Sequence, residues 1–417
     1  MTPEKRRSFF SLLFVTAMDN FGYRIVFAMF APFLLSPLYH FVPENTSLLM
    51  RTFYIALLFA AYPLTQFFGA PLLGDFADRA GRKKALYITI FGVIIGFVIS
   101  GIACFFTNLS LLVFSRFFTG FFAGNLGICL SAIADLSPSE KIRSRNFGIV
   151  TVVWGFTWNL AILAGGYLSD PTKSPYFSPS LPFWITAFVT LLSLVALARY
   201  YFETHETKVR HPFNLIKGIH NIQHVLKIKK IRPYFLILLL WTLGWGMTIQ
   251  WFGTFSILKY GATQEAISWG LLIQGGFWML GGSVFNPLLL RKYNSRQIAT
   301  MSFFCAMLIL FTLFFYKTYF LFCFIYSTAA IFSSLAFSNT MNLVSIHAPE
   351  DLQGKIMGLS QSMMAMGFVI RSISGAFISN INPIWFFPIA GTYLLVNFLI
   401  LFFQKEKSPK LAKYHEK

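Results

Sequence analysis

The sequence predicts an all-α integral membrane protein whose twelve transmembrane helices form two pseudo-symmetric six-helix halves. Three observations carry that prediction. Of its 417 residues, 56% are hydrophobic and 12% charged, which is more apolar surface than a soluble chain of this length can bury. Apolar stretches of roughly 20 residues, the length that crosses about 30 Å of hydrocarbon as a helix, recur from one end to the other. The basic residues are also unevenly placed, with 27 of 34 on the side of the N-terminus, four on the other side and three within spans. That asymmetry puts both termini in the cytoplasm. It also accounts for most of the net charge of +19, so nucleic acid is not expected as a partner.

The first span covers 8–34. Lys5-Arg6-Arg7 before it resembles the start of a signal peptide, but the apolar run is too long and no small-residue cleavage site follows. The span carries Asp19, Asn20 and Arg24 and closes with Pro32. At about 1.5 Å per residue, Asp19 lies near mid-depth. An exterior segment with Glu44 and Arg51 leads to the second span, 52–74. Then comes Gly74-Asp75-Phe76-Ala77-Asp78-Arg79-Ala80-Gly81-Arg82-Lys83-Lys84, six charges in eleven residues. Asp75 and Arg79, and likewise Asp78 and Arg82, are spaced i,i+4 with the acid first, the favourable order on a helix or helix-like turn. Gly74 and Gly81 give room for close approach or a sharp turn, and Lys83 and Lys84 suit anionic lipid heads.

The third span is 85–105 and the fourth 110–134, with Arg116 in its outer third, Gly120, Gly124 and Gly127 along it and Asp135 at its inner end. Glycines so spaced permit close helix packing. The fifth, 146–168, contains Asn159 and ends in Gly165-Gly166-Tyr167-Leu168; the sixth is 181–202. The polar connection 203–232 divides the N-terminal half, 1–202, from the C-terminal half and tail, 233–417. Within it Leu215, Ile219, Ile222 and Leu226 recur at helical spacing, which predicts an amphipathic helix on the inner membrane surface. The remaining spans are 233–256, 266–290, 297–316, 319–346, 355–379 and 384–403.

An acidic turn, a basic residue and a glycine-containing helix occur at Asp135–Gly148 and again at Ala348–Gly358. Two halves of common origin explain the echo, and such repeats place a substrate site at their interface near mid-membrane. Arg291, Lys292 and Arg296 occupy the place of the charged stretch in the second half, without its acids.

The order G-x-x-x-D-R-x-G-R-K at Gly74–Lys83 resembles the loop between the second and third helices of the major facilitator superfamily, with Phe76 at a usual leucine position. The likeness runs from about Ala70 to Asp170 and includes the stretch Leu111–Gly120 around Arg116. Within that superfamily the first half is most similar to tetracycline and multidrug efflux transporters. One departure stands out: the Gly-Pro that antiporters carry before Gly-Gly-Tyr-Leu is Ala161-Ile162 here. The resemblance implies a twelve-helix secondary transporter working by alternating access. It also implies a role for Arg116 in proton coupling and a place for Asp78 against the start of the eleventh helix, latching the halves while the cavity faces outward.

Among the 15 acidic residues only Asp19 falls deep inside a span. A carboxylate there needs a partner or a water-filled cavity, and its proton affinity depends on which way that cavity opens. It is the candidate proton carrier, the alternative being a structural partner for Arg24 or Asn20. Arg24, Arg116 and Arg371 stay protonated, so the interior is basic and suits an anion such as a carboxylate or polycarboxylate metal chelator. Arg24 and Arg371 have snorkelling or carbonyl pairing as their alternative. Asn125, Asn159, Gln250 and Gln274, with Asn339, Asn342 and Gln361, complete the polar cavity candidates, and Trp154, Trp158, Trp245 and Trp251 its apolar walls. In the charged stretch Arg82 is expected to bridge Asp78 and Asp135, forming a latch with Gly74, Arg79 and Gly81.

No cofactor or metal is expected. Cys104, Cys129, Cys305 and Cys323 fall within spans without paired spacing, and His220 with His224 lacks a third ligand. No Gly-rich phosphate loop is visible, so energy comes from a gradient. The expected partners are a small-molecule substrate, protons and the lipid bilayer. The protein is expected to be a monomer in a bacterial inner membrane. The main rival is drug/proton antiport. A membrane enzyme would need a nucleophile with a base in the spans, and a receptor on this fold would bind without flux.

Overall fold

The computed structural model describes residues 3–137, 140–203, 231–347 and 353–404, with backbone alone for 140, 141, 143, 144, 353–359, 361 and 362. The segment containing the expected amphipathic helix, His220 and His224 lies outside the described residues. Eleven described helices are long and apolar enough to cross a membrane. In chain order the crossings are α1 (Pro3–Leu35), α2 (Leu48–Ala80), α3 (Arg82–Phe105), α4 (Leu109–Leu136), α5 (Glu140–Leu168) and α6 (Leu181–Tyr200). The second half contains α7 (Arg232–Gln250, resumed at Phe252–Tyr260), α8 (Gln264–Leu280 and onward), α9 (Ser295–Phe315), α10 (Tyr319–His347), α11 (Gln353–Ile381) and α12 (Pro383–Phe403). α8 completes the twelve: 17 α-helical residues run into a π turn at Gly281–Phe285 and a last turn at Asn286–Leu289.

The apolar runs and the crossings agree, but their edges move. α2 continues through most of the charged stretch to Ala80 and ends because Gly81 adopts φ +95°, a conformation that favours glycine. α3 therefore starts at Arg82, and the expected i,i+4 pairing of Asp78 with Arg82 does not form because the helix breaks between them. Asp75 and Arg79 lie within one helix and do pair, at 2.8 Å.

The crossings alternate between two faces, called here the terminal face, where α1 begins, and the far face. α2 packs along α11 and α5 along α8, so these four helices join the halves, while the end of α1 meets the end of α7 at the far face. Within the first half, Gly120 lets α4 approach α2 so closely that a Cβ would stand 2.2 Å from the Tyr62 carbonyl oxygen. Thr65 Oγ1 donates to the Phe117 carbonyl there at 2.7 Å. Gly74, by contrast, has open space around it in this state, so the close approach expected of it is absent.

Polar contacts between the halves gather at the far face. Tyr39 donates to Gln264, whose amide donates to the carbonyl of Gly166 at 3.0 Å and to Ser169. Lys173 pairs with Glu265, and Asn380 Nδ2 donates to Thr52 Oγ1 at 2.7 Å. Toward the terminal face, the polar ties among the described residues stay within one half.

Candidate functional site

Three crossings break at mid-depth, each beside a predicted site residue. In α1 the α-helix ends at Arg24 and passes into a 3-10 turn, Ile25–Ala28. In α4 it stops at Phe122 and restarts at Asn125. In α7 it stops at Gln250 and restarts at Phe252. Irregular backbone at membrane depth is tolerated only where protein or a water-filled cavity satisfies it. The breaks thus mark the interior between the halves.

Arg24 lies over two rings, with its Cζ 4.1 Å from the Trp158 centroid and 5.1 Å from that of Tyr23. Its Nε is buried without a hydrogen-bond partner, and among the described residues its guanidinium makes no hydrogen bond or ion pair. Asp19, one turn before it, accepts from Asn125 Nδ2 at 3.3 Å and forms no ion pair among the described residues. The structural alternative of an Asp19–Arg24 pair is therefore not what forms. Asn20 ties α1 to α5 instead, donating to the Trp154 carbonyl at 2.9 Å and to Thr157 Oγ1 at 2.7 Å.

Arg116 is buried at 1% exposure, and its Nε and Nη1 have no hydrogen-bond partner. Aromatic faces surround it, with Tyr62 at 4.8 Å and Phe30 at 5.7 Å. Tyr62 stands 5.1 Å from Tyr23, centroid to centroid, so rings connect Arg116 to the Arg24 region.

Arg371 differs. Its Nε donates to Gln250 Oε1 at 2.6 Å and its Nη1 approaches the Thr242 carbonyl at 3.4 Å, while Gln250 Nε2 donates to Ser372 Oγ at 2.6 Å. Arg371 and Gln250 are largely consumed within the second half, the carbonyl-pairing alternative that the sequence left open. Its Cζ lies 4.2 Å from Phe368, which stacks 6.3 Å from Tyr23. Asn159 Nδ2 bonds its own helix and Met279 Sδ at 3.2 Å, leaving Oδ1 without a partner, and Gln274 Oε1 is likewise buried and unpartnered. The indole N–H groups of Trp154, Trp158 and Trp245 are in the same condition. Asn339 and Asn342 are not cavity groups: they bond Asn286 and Ser295, each at 2.7 Å, fixing α10 to its neighbours. Trp251 donates to the Arg371 carbonyl at 3.1 Å. The Gln361 side chain lies outside the described residues.

The model of the Major Facilitator Superfamily matches residues 9–372. The chain belongs to that superfamily. It is 28% identical over 200 residues to the class H tetracycline resistance protein of Pasteurella multocida, a match covering 48% of this chain and 46% of that relative. The chain thus spans less than half the length of that relative. With multidrug resistance protein 2 of Bacillus subtilis it shares 21% identity over 364 residues, 85% of this chain and 87% of the relative. Among solved structures, the human organic anion transporter MFSD10 superposes with TM-score 0.70 at 15% identity, covering 96% of this chain and all of that one. A D-xylose-proton symporter gives 0.73 at 14% identity, covering 94% and 97%. Superfamily members are multi-pass membrane transporters that bind small-molecule substrates within the membrane.

The superfamily's charged loop here is built from more than its own residues. Arg82 pairs with Asp135 at the end of α4, but not with Asp78, which its position beyond Gly81 turns it away from. Glu203, at the start of the polar connection, accepts from the backbone N–H groups of Arg82 at 3.2 Å and Lys83 at 2.9 Å. It thereby caps α3, where a helix N-terminus favours negative charge. Lys83 Nζ in turn donates to carbonyls at the end of α6. In the second half Arg296 takes the corresponding place but donates to the Leu401 carbonyl at 2.7 Å, a helix C-terminus standing in for the missing acids. Ala161 and Ile162 are fully buried in an unbroken α5. The sequence also missed Tyr23 and Tyr62 at the centre and Tyr39, Ser169 and Gln264 at the far face; nothing in their spacing separates them from packing residues.

Proposed function

We propose that this transporter moves a small organic anion, with proton coupling through Asp19. The observation that carries the reading is Arg24: a permanently charged guanidinium at a break in α1, without a protein anion or hydrogen-bond partner among the described residues. A desolvated charge so placed is costly until an anion joins it, and a carboxylate gripped by the guanidinium fork supplies two charge-assisted hydrogen bonds. Arg116 adds a second buried positive charge. A lipophilic cation would meet repulsion from both. Asp19, bonded only through an amide, is free to exchange a proton as access alternates, and moving one charge across 100 mV is worth roughly 2.3 kcal/mol. The fold likeness to an organic anion transporter is compatible with this reading.

The positive-inside asymmetry supports a cytoplasmic terminal face, which makes this state inward-facing. On that reading Asp78, Gly74 and Arg79 engage the start of α11 only when the terminal face closes, while Gly81, Arg82 and Asp135 hold the loop ready. Asp78→Asn should then favour the inward-facing state, read by accessibility labelling; an unchanged balance would sink the latch.

The second reading is drug/proton antiport, favoured by the matches to tetracycline and multidrug resistance proteins. Ligand-induced thermal stabilisation separates the two, using matched panels of organic anions and lipophilic cations on the purified protein, Asp19→Asn and Arg24→Gln. Stabilisation by anions that Arg24→Gln abolishes supports the first reading. Stabilisation by cations that Asp19→Asn abolishes supports the second.

A further inference from the structure

The geometry points to an aromatic carboxylate as the substrate class, with the Arg24 guanidinium, stacked on Trp158, holding the carboxylate and the rings of Tyr23 and Phe368, one from each half, flanking the substrate ring. This rests on the anionic reading and narrows it. Four observations lead there.

Arg24 is held by rings and not by acids: its Cζ is 4.1 Å from the Trp158 centroid and 5.1 Å from the Tyr23 centroid. Cation–π contact takes up the faces of a guanidinium, so what remains for a ligand is its edge, the five-donor fork that accepts a planar carboxylate. Secondly, the surroundings continue as aromatic faces. Phe27 lies 5.7 Å from Trp158, Tyr62 lies 5.1 Å from Tyr23, and Phe368 of the other half stacks 6.3 Å from Tyr23. A carboxylate conjugated to its ring is flat, so its anionic end can lie in the plane of the fork while its ring extends along these walls.

Thirdly, unpartnered polar atoms are present here: the Trp154 and Trp158 N–H groups, the Arg24 Nε and the Asn159 Oδ1. Buried polar groups are normally satisfied, and these offer both donors and an acceptor to substituents on the ring. Fourthly, Trp158 and Asn159 stand directly against α8 of the opposite half: a Cβ on Gly275 would lie 2.3 Å from Asn159 Oδ1 and 2.9 Å from the Trp158 ring. A ligand held by Arg24 therefore lies beside the seam that must move during transport.

The test uses the full-length purified protein and two matched pairs of probes, benzoate with cyclohexanecarboxylate and 2-naphthoate with its fully saturated counterpart. Binding is read by thermal stabilisation and by quenching of tryptophan fluorescence. Ring–ring contact predicts that each aromatic acid binds roughly three- to tenfold tighter than its saturated partner. Phe368→Leu should bring that ratio toward one, and Phe368→Tyr should keep most of it. Equal binding of both members of each pair by the unmodified protein, with the loss on Arg24→Gln retained, would overturn the aromatic assignment and leave the anionic reading standing. Binding of lipophilic cations in place of every acid would overturn both. The ratio on the unmodified protein decides even if a Phe368 variant fails to fold.

Discussion

The two ends of this bundle are tied together by different kinds of bond. At the far face the ties run between halves: Gln264 of α8 reaches Tyr39, Gly166 and Ser169, Lys173 meets Glu265, and Asn380 meets Thr52. At the terminal face, among the described residues, they run within a half. Arg82 meets Asp135, Glu203 caps α3, Ser8 Oγ donates to the Tyr200 carbonyl at 2.9 Å, and Arg296 binds the end of α12. The difference teaches how a protein with a two-body motion distributes its polar contacts. Ties that must persist through the cycle belong inside a body; ties that select one state belong across the seam. Most far-face bonds are neutral hydrogen bonds of modest net worth, so they can hold a state without trapping it.

That contrast can be broken at either end. The largest effect is expected for Gly166→Val, because even a Cβ at this position would stand 1.7 Å from Ser268 Oγ and 3.3 Å from the Ala28 Cβ. Overpacking of this kind costs about 1–3 kcal/mol, and here it falls on the far-face-closed state alone. Alkylation of a Ser256→Cys reporter, in a background with the four native cysteines replaced by alanine, should rise strongly; Ser256 is fully buried near the far end of α7. Next comes Gln264→Leu, which removes the bonds to Tyr39, Gly166 and Ser169 and leaves groups of α5 unpaired. A loss of about 1–3 kcal/mol in the same state should appear as intermediate reporter labelling.

Arg82→Gln sharpens the comparison from the other end. It should lower the melting temperature, through a loss of roughly 1–2 kcal/mol from a partly buried ion pair, without altering the far-face reporter. A change in reporter labelling would show that the terminal-face ties are not confined to one half. The smallest effect is expected for Lys173→Gln, an exposed pair that salt screens. Its hydrogen bond to Glu265 holds the Lys173 ammonium above the ordinary lysine range. That contribution is fully present below the lysine's unfolded pKa and fades as pH rises through the raised one. Lys173→Gln should therefore raise reporter labelling slightly at neutral pH and low salt, and the difference from the unmodified protein should vanish at strongly alkaline pH or high salt.

Much of the central site was visible in the sequence for one reason: a charge inside an apolar run is expensive, and Asp19, Arg24, Arg116 and Arg371 are all such charges. The sequence could not rank them. Arg24 and Arg371 look equivalent as lone arginines in spans, yet Arg371 is bonded by Gln250 from a helix about 120 residues away and Arg24 is stacked on rings. The charged stretch was likewise half legible. Asp75 and Arg79 pair within one helix as their spacing dictates, whereas Arg82 finds Asp135 and not Asp78 because Gly81 ends the helix between them.

By itself, the sequence determined the class and the crossings, because hydrophobic length is a local property summed along the chain. Tertiary structure alone decided which buried charge lacks a partner, where the helices break and which face is closed. Each of those depends on what one helix meets on another, and in an apolar environment a polar side chain takes the partner that packing brings within reach.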